Sequence, residues 1–136
     1  MMTKEEFIKL AINTEWVNRG ASFDGMDCYG LVILYYRHVM GIEVDIPSGY
    51  GENKSLSECF EEGSSKWEEV DRACGDDIAF TCYNGDLPVH VGVCIDRNRV
   101  IHALGSEDDF GKVQINRLHS IRKLFGKVKF YRYKND

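Results

Sequence analysis

The apolar residues of this chain change their spacing between its first third and its second half. A helical period covers residues 3–13, where Thr3 and Glu6 fit a capping box, and a second helix is predicted from Cys28 to Met40. The second half alternates at the strand period instead. The predicted strands are residues 76–82, 90–96, 99–105, 112–116 and 127–133. Helices followed by strands indicate an α+β fold, in which N-terminal helices pack on an antiparallel β-sheet.

Turn-forming residues separate these predicted elements. Residues 18–27 contain two glycines among small polar residues and predict a loop. Asp27 can cap the second helix, and Gly41 can end it. Residues 47–54 predict a turn or long loop, and residues 55–62 predict a short polar helix.

Length and charge limit the classes of protein to which the chain can belong. With 136 residues, of which 43% are hydrophobic, it is expected to form a single domain over residues 1–136. The net charge of −5 argues against a nucleic-acid-binding protein. Residues 112–136 nevertheless carry eight Lys and Arg against one acidic residue. This segment either neutralises an acidic body or forms a basic rim that attracts an anionic polymer, such as cell wall or nucleic acid.

No apolar run in the chain has the length of a signal-peptide core or of a membrane span. We therefore expect synthesis in the cytoplasm without a signal peptide. The five cysteines, at positions 28, 59, 74, 82 and 94, are odd in number and form no C-x-x-C pair. We expect reduced thiols and neither a metal nor another cofactor. A zinc site that uses Cys74, Cys82 and a histidine is the metal-binding alternative.

Cys28 is the first candidate for chemistry, because it falls in the first turn of a strongly apolar helix. Unpaired N–H groups and the helix dipole at such a position favour the thiolate, and they can also hold an oxyanion. Gly30 is unfavourable inside a helix, which suggests that another group approaches the backbone closely there. The alternative is a small buried cysteine at a helix start.

A nucleophilic thiol needs a base, and two histidines lie in apolar predicted strands. If residues 96–98 form a three-residue loop with Asn98 left-handed, His102 lies opposite Gly92 and His90 is its diagonal neighbour on the same face. A loop at 95–97 would set the two histidines directly opposite each other. A two-residue turn at 97–98 would put them on opposite faces. Two structural histidines remain the alternative to a catalytic pair.

Three segments together resemble a known family. They are WVNRGASFDGMDCYGLV, GDDIAF and HVGVCIDRNRVIHA, within residues 12–105. Their order and spacing are similar to those of the NlpC/P60 family of papain-like cell-wall peptidases, and most of all to its compact, phage tail-associated members.

The resemblance implies a papain-like core and a Cys-His-His triad. In this family an Asp-Cys-x-Gly-Leu segment supplies the nucleophile, which corresponds to Cys28. A His-Val-Gly strand supplies the base, which corresponds to His90, and a polar residue on the next strand orients that base, here His102. The implied reaction is hydrolysis of an amide bond in the peptide stem of peptidoglycan, between D-glutamate and the diamino acid.

The resemblance also implies residues that surround the triad. Trp16 stands where the family usually has a hydrogen-bonding Tyr, and Tyr29 stands where Ser is common after the nucleophile. The resemblance places further residues beside the oxyanion or substrate, namely Asp27, Gly30 and Gly92. A Gly-Asp pair, Gly75 and Asp76, is expected to begin the strand before the base.

Two other functions stay open at this stage. A papain-like amidase or acyltransferase with another substrate would use the same triad. A phage tail or assembly protein could keep the fold with weak or no activity. The expected partners are the peptidoglycan peptide stem and phage tail proteins, and the expected places of action are the cell wall or a virion.

Overall fold

The computed structural model of the protein describes residues 1–44, 66–71, 78–105 and 111–134. The first helix, α1, spans Lys4–Ala11. The predicted capping box is present, since the Thr3 side chain accepts from the Glu6 N–H while the Glu6 side chain accepts from the Thr3 N–H. Its buried residues, Phe7 and Ala11, are four positions apart, so they lie on one face.

The second helix, α2, spans Cys28–Tyr35 and continues as a π-helix over Tyr36–Met40. Every residue of α2 after Cys28 is buried, which is the pattern of a helix inside a core. Gly41 ends it in the left-handed conformation, with φ of 69°, as predicted. Before α2, two short strands, β1 (Ala21–Ser22) and β2 (Gly25–Met26), form a hairpin in the segment predicted as a loop.

A six-stranded sheet follows, in the spatial order β3-β8-β4-β5-β6-β7. Each neighbouring pair in it is antiparallel. Its strands are β3 (Trp67–Val70), β4 (Ile78–Asn84), β5 (Leu87–Cys94), β6 (Arg99–Leu104), β7 (Lys112–Arg117) and β8 (Lys127–Tyr133). A third helix, α3 (Leu118–Phe125), connects β7 to β8.

The side chains of β5 alternate between two hydrophobic layers. Val91 and Val93 pack with α1 and α2 on one face. Cys94 packs on the other face, against the buried side of α3. The sheet is therefore covered by helices on both faces, and the predicted α+β class with N-terminal helices on an antiparallel sheet is confirmed.

Some predicted elements differ from the structure. β3, α3 and the β1–β2 hairpin were not predicted from the sequence, because they are short or polar on one side. The prediction also started the histidine-bearing strand at His90, whereas β5 begins at Leu87 and includes Pro88. The predicted turn at 47–54 and helix at 55–62 lie outside the described residues. Among the helices that are described, none is long and apolar enough to span a membrane.

Candidate active site

Asp27 fixes the start of the helix that carries Cys28. Its Oδ1 accepts a hydrogen bond of 2.7 Å from the Gly30 N–H, and its Oδ2 accepts one of 2.9 Å from the Arg19 N–H. The carboxylate therefore caps α2, as predicted, and also ties the preceding loop to the helix. Asp27 is only 8% exposed. Its two oxygens are engaged by the protein's own backbone, which gives it a structural position beside Cys28.

Gly30 is explained by the same loop. A Cβ atom at this position would collide with the carbonyl oxygen of Gly20. A group does approach the Gly30 backbone closely, as the sequence predicts, and that group is the Gly20 carbonyl of the same chain. Gly30 is buried and is not among the residues that line the cleft described below.

A β-bulge precedes His90. Cys82 pairs with His90 and Tyr83 pairs with Pro88, which leaves Val89 as the extra residue on β5. Proline has no N–H to donate and is tolerated at such an interruption. Bulges redirect the side chains that follow them, and this one lies directly before His90.

His90 and His102 form a hydrogen-bonded pair. Val93 lies opposite Ile101, a register that places His102 opposite Gly92 and His90 diagonally on the same face, as the first of the three hairpin alternatives predicted. The distance from His90 Nε2 to His102 Nδ1 is 2.7 Å.

The turn that sets this register differs from the prediction in detail. Asn98 does not adopt a left-handed conformation. Instead, Asp96 Oδ1 accepts hydrogen bonds of 2.8 Å from the N–H groups of both Asn98 and Arg99. These side-chain hydrogen bonds stabilise the turn without a residue in the left-handed conformation.

Aromatic rings enclose the two histidines. The Phe125 ring, at the end of α3, stacks on the His90 ring with centroids 5.1 Å apart and planes 12° apart. The Phe80 ring meets both imidazoles edge-on, with centroid distances of 6.2 Å. Gly92 makes room for this ring, because a Cβ atom there would collide with Phe80. His90 is 4% exposed and His102 is fully buried.

A cleft of about 210 Å³ brings together the helix start and the bulged strand. Cys28 and His90 both line it, together with Asp27, Tyr29 and Trp16. Gly105 allows Trp16 to pack here, since a Cβ atom at Gly105 would lie 2.8 Å from the indole. Of the other residues predicted around the site, His102 bonds to His90, and Gly92 lies against the Phe80 ring that meets both imidazoles.

Burial sets the protonation of the pair. It raises the pKa of the Cys28 thiol to about 12, and the negative charge of Asp27 adds to this rise. The backbone N–H groups of Val91, Tyr29 and Cys28 lower the same pKa by less. Burial, and then His102, lower the pKa of His90 to about 3. Both shifts favour a neutral thiol and a neutral imidazole, the opposite direction to the one that the helix start predicts for Cys28.

Asn116, which was not predicted from the sequence, also contacts the histidine pair. Its Oδ1 lies 2.7 Å from His102 Nε2, which extends the histidine pair to a third strand, β7. The only sequence signal is the alternation of Gln114 and Asn116 with the apolar Val113 and Ile115. That alternation predicts a face for the strand but no partner.

Among the described residues, the other two cysteines do not line the cleft. Cys82 and Cys94 are buried in the sheet and form no disulfide. Cys59, Cys74 and the Gly75–Asp76 pair lie outside the described residues. Within the described ranges, no three His, Cys, Asp or Glu side chains are grouped so that they could hold a metal ion.

The C-terminal basic residues serve partly to neutralise acidic neighbours. Lys129 lies 3.6 Å from Glu69, and Lys127 lies 3.9 Å from Asp86. Other cations surround a separate concavity of about 520 Å³ at the turn between β5 and β6 and the start of α3, namely Arg97, Arg99, Arg117 and Arg122.

A cysteine at the start of a core helix, in one cleft with a histidine from an antiparallel sheet, defines a papain-like protein. The chain belongs to the NlpC/P60 family, whose family model matches residues 13–127. The fold is similar to that in the crystal structure of the NlpC/p60 domain of peptidoglycan hydrolase SagA, with a TM-score of 0.59 and 20% sequence identity. That match covers 94% of this chain and 92% of the other. No curated protein matches the sequence.

Proposed function

We propose that this protein is a cysteine peptidase that hydrolyses amide bonds in the peptide stem of peptidoglycan, at the bond between D-glutamate and the diamino acid. The observation that carries the proposal is the shared cleft of Cys28 and His90, with His90 held by His102 at 2.7 Å. Membership of the NlpC/P60 family and the likeness to a domain of a peptidoglycan hydrolase support the substrate class.

Because the Cys28 thiol and the His90 imidazole are both neutral at rest, His90 acts as the base in the first step. His90 Nε2 is occupied by His102, so Nδ1 is the nitrogen left to act on the thiol. As the Cys28 sulfur attacks the substrate carbonyl, the thiol proton moves to His90 Nδ1 and a carbon–sulfur bond forms. The carbonyl oxygen becomes an oxyanion, which the Cys28 N–H and the Trp16 indole N–H stabilise in this proposal.

The remaining steps restore the enzyme. The imidazolium of His90 gives its proton to the leaving amine as the carbon–nitrogen bond breaks, which leaves a thioester on Cys28. Water then attacks the thioester while His90 Nδ1 accepts its proton. The carbon–sulfur bond breaks, the acid product leaves, and the proton returns to the Cys28 sulfur. His102 orients the His90 ring throughout.

Digestion of purified muropeptides, read by mass spectrometry, tests this proposal. We expect cleavage by the wild type and none by Cys28→Ala. Cys94→Ala is the matched control, because it removes a buried thiol of the sheet away from the cleft and is expected to keep activity. Cleavage at another amide bond would keep the enzyme and change its substrate. A folded wild type that leaves all muropeptides intact would contradict the proposal and favour an assembly protein with this fold.

Action on peptidoglycan also requires that the protein reach the cell wall. We propose delivery by a phage tail, by lysis or by a secretion machine. Fractionation of producing cells, with detection of the protein in virions or in the wall fraction, tests this part separately from the enzymology.

A further inference from the structure

The buried hydrogen-bond chain behind Cys28 does not end at the histidine pair. It runs from His90 on β5 through His102 on β6 to Asn116 on β7, with two successive distances of 2.7 Å. We propose that Asn116 is a positioning residue, whose amide oxygen selects the tautomers of both histidines so that His90 presents an unprotonated Nδ1 to Cys28. This inference rests on the proposed role of His90 as the base.

The donors and acceptors along this hydrogen-bond chain determine each tautomer in turn. An amide oxygen can only accept, so His102 Nε2 must carry a proton to bond with Asn116 Oδ1. A neutral imidazole holds one ring proton, so His102 Nδ1 is then an acceptor. His90 Nε2 must therefore carry the proton in the bond between the rings, and His90 Nδ1 is left with a free lone pair.

The opposite orientation of the amide would reverse every step. If the NH₂ group of Asn116 faced His102, His102 Nε2 would accept and its Nδ1 would donate to His90 Nε2. His90 would then carry its proton on Nδ1 and could not accept the proton of the thiol. The direction of a single amide, two strands away from the cleft, thus decides whether the site holds a base.

Burial restricts the two histidines to tautomers that satisfy this hydrogen-bond chain. His102 is fully buried and His90 nearly so, and the rings of Phe80 and Phe125 cover them. Because His102 is fully buried, both of its ring nitrogens bond within the chain, one to His90 Nε2 and the other to Asn116 Oδ1. The groups that act on the histidine pKa values are consistent with this, because burial lowers both and the Asn116 side chain raises that of His102.

Two substitutions separate the acceptor from the rest of the side chain. Asn116→Leu removes the acceptor at similar size. Asn116→Asp keeps an acceptor that cannot reverse, but its charge raises the pKa of His102. Once His102 is doubly protonated, it cannot accept from His90 Nε2. We therefore expect Asn116→Asp to be active at high pH, with the acid limb of its rate profile shifted to higher pH. Asn116→Leu should lose activity on the order of 10–100-fold at every pH, as when a group that orients a functional imidazole is removed.

Histidine ¹⁵N NMR reads the tautomers without any substrate. The expected result is His90 protonated on Nε2 and His102 protonated on Nε2 in the wild type and in Asn116→Asp at high pH, with mixed tautomers in Asn116→Leu. Gln114→Leu, the same kind of change two residues away on β7, should leave the tautomers unchanged. Wild-type His90 protonated on Nδ1, or wild-type tautomers in Asn116→Leu, would overturn the inference. Should Asn116→Leu not fold, the wild-type spectrum and the pH profile of Asn116→Asp still decide. Failure of the wild type to cleave muropeptides would contradict the proposed function alone, because the tautomer measurement does not depend on it.

Discussion

The Asp27 carboxylate has two opposite effects: it stabilises the fold, and it lowers the reactivity of the Cys28 thiol. Its carboxylate accepts hydrogen bonds from the Gly30 and Arg19 N–H groups, and its charge raises the pKa of the neighbouring thiol. The substitution Asp27→Asn keeps the size, removes the charge and leaves one backbone N–H facing an amide NH₂ group. We expect this variant to be less stable than the wild type and its thiol to react faster.

The magnitudes follow from the two contacts. A buried donor left without its acceptor costs about 1–3 kcal/mol. For a chain of this length that lowers Tm by roughly 3–12 °C, at about 3–4 °C for each kcal/mol. Loss of the charge should speed alkylation of Cys28 by iodoacetamide at pH 8 on the order of three- to tenfold, since one unit of pKa changes the thiolate fraction tenfold.

Asp96→Asn is the matched control. Asp96 also accepts from two backbone N–H groups, but it lies in an exposed turn away from the cleft. We expect a smaller fall in Tm and no change in Cys28 alkylation, with calorimetry and peptide mass spectrometry as the assays. An Asp27→Asn protein with unchanged Tm, or with Cys28 alkylated no faster than in the wild type, would refute the reasoning.

Three further predictions concern His90, the Phe125 ring stacked on it, and the close contact between Gly30 and Gly20. Because the pKa of His90 is about 3 in the folded protein and ordinarily near 6.5, the unfolded chain binds the extra proton between these values. The free energy of unfolding should then fall as pH drops through this window, by up to about 1.4 kcal/mol per pH unit, and His90→Gln should flatten that slope in urea titrations. Phe125→Ala should admit water to the His90 ring and raise its pKa toward the ordinary value by NMR titration, whereas Leu124→Ala, at a side chain 63% exposed, should not. Gly30→Ala should lower Tm despite the better helix propensity of alanine, because the new Cβ atom meets the Gly20 carbonyl oxygen. A Tm at or above that of the wild type would show that the loop can move away.

The helices and most of the strands could be predicted because their signals are local. The capping box at Thr3 and Glu6 and the left-handed Gly41 are read from a few neighbouring residues, and both are present in the structure. The spacing of His90 and His102 also limited the hairpin to three alternative registers, because a hairpin couples sequence distance to the face of the sheet, and the structure has the first of them. Elements with weak periodicity, such as β3, could not be found in this way.

Contacts between distant segments account for what the sequence analysis missed or misjudged. The sequence predicts a close approach at Gly30 but not its partner, and only the folded loop shows that the Gly20 carbonyl lies against it. The helix start predicted a lowered thiol pKa for Cys28, yet burial between α2 and the sheet outweighs the local N–H groups.

The sequence by itself determined the fold class, the capped helix start at Cys28 and the strand positions of the two histidines. These depend on period, caps and short turns, whose energies arise within a few residues. Tertiary structure alone decided what surrounds those groups: the bulge at Val89, the stacked ring of Phe125 and the amide of Asn116. The physical reason is that desolvation and side-chain hydrogen bonds across a sheet depend on which distant segments contact each other. A local sequence pattern does not predict those contacts.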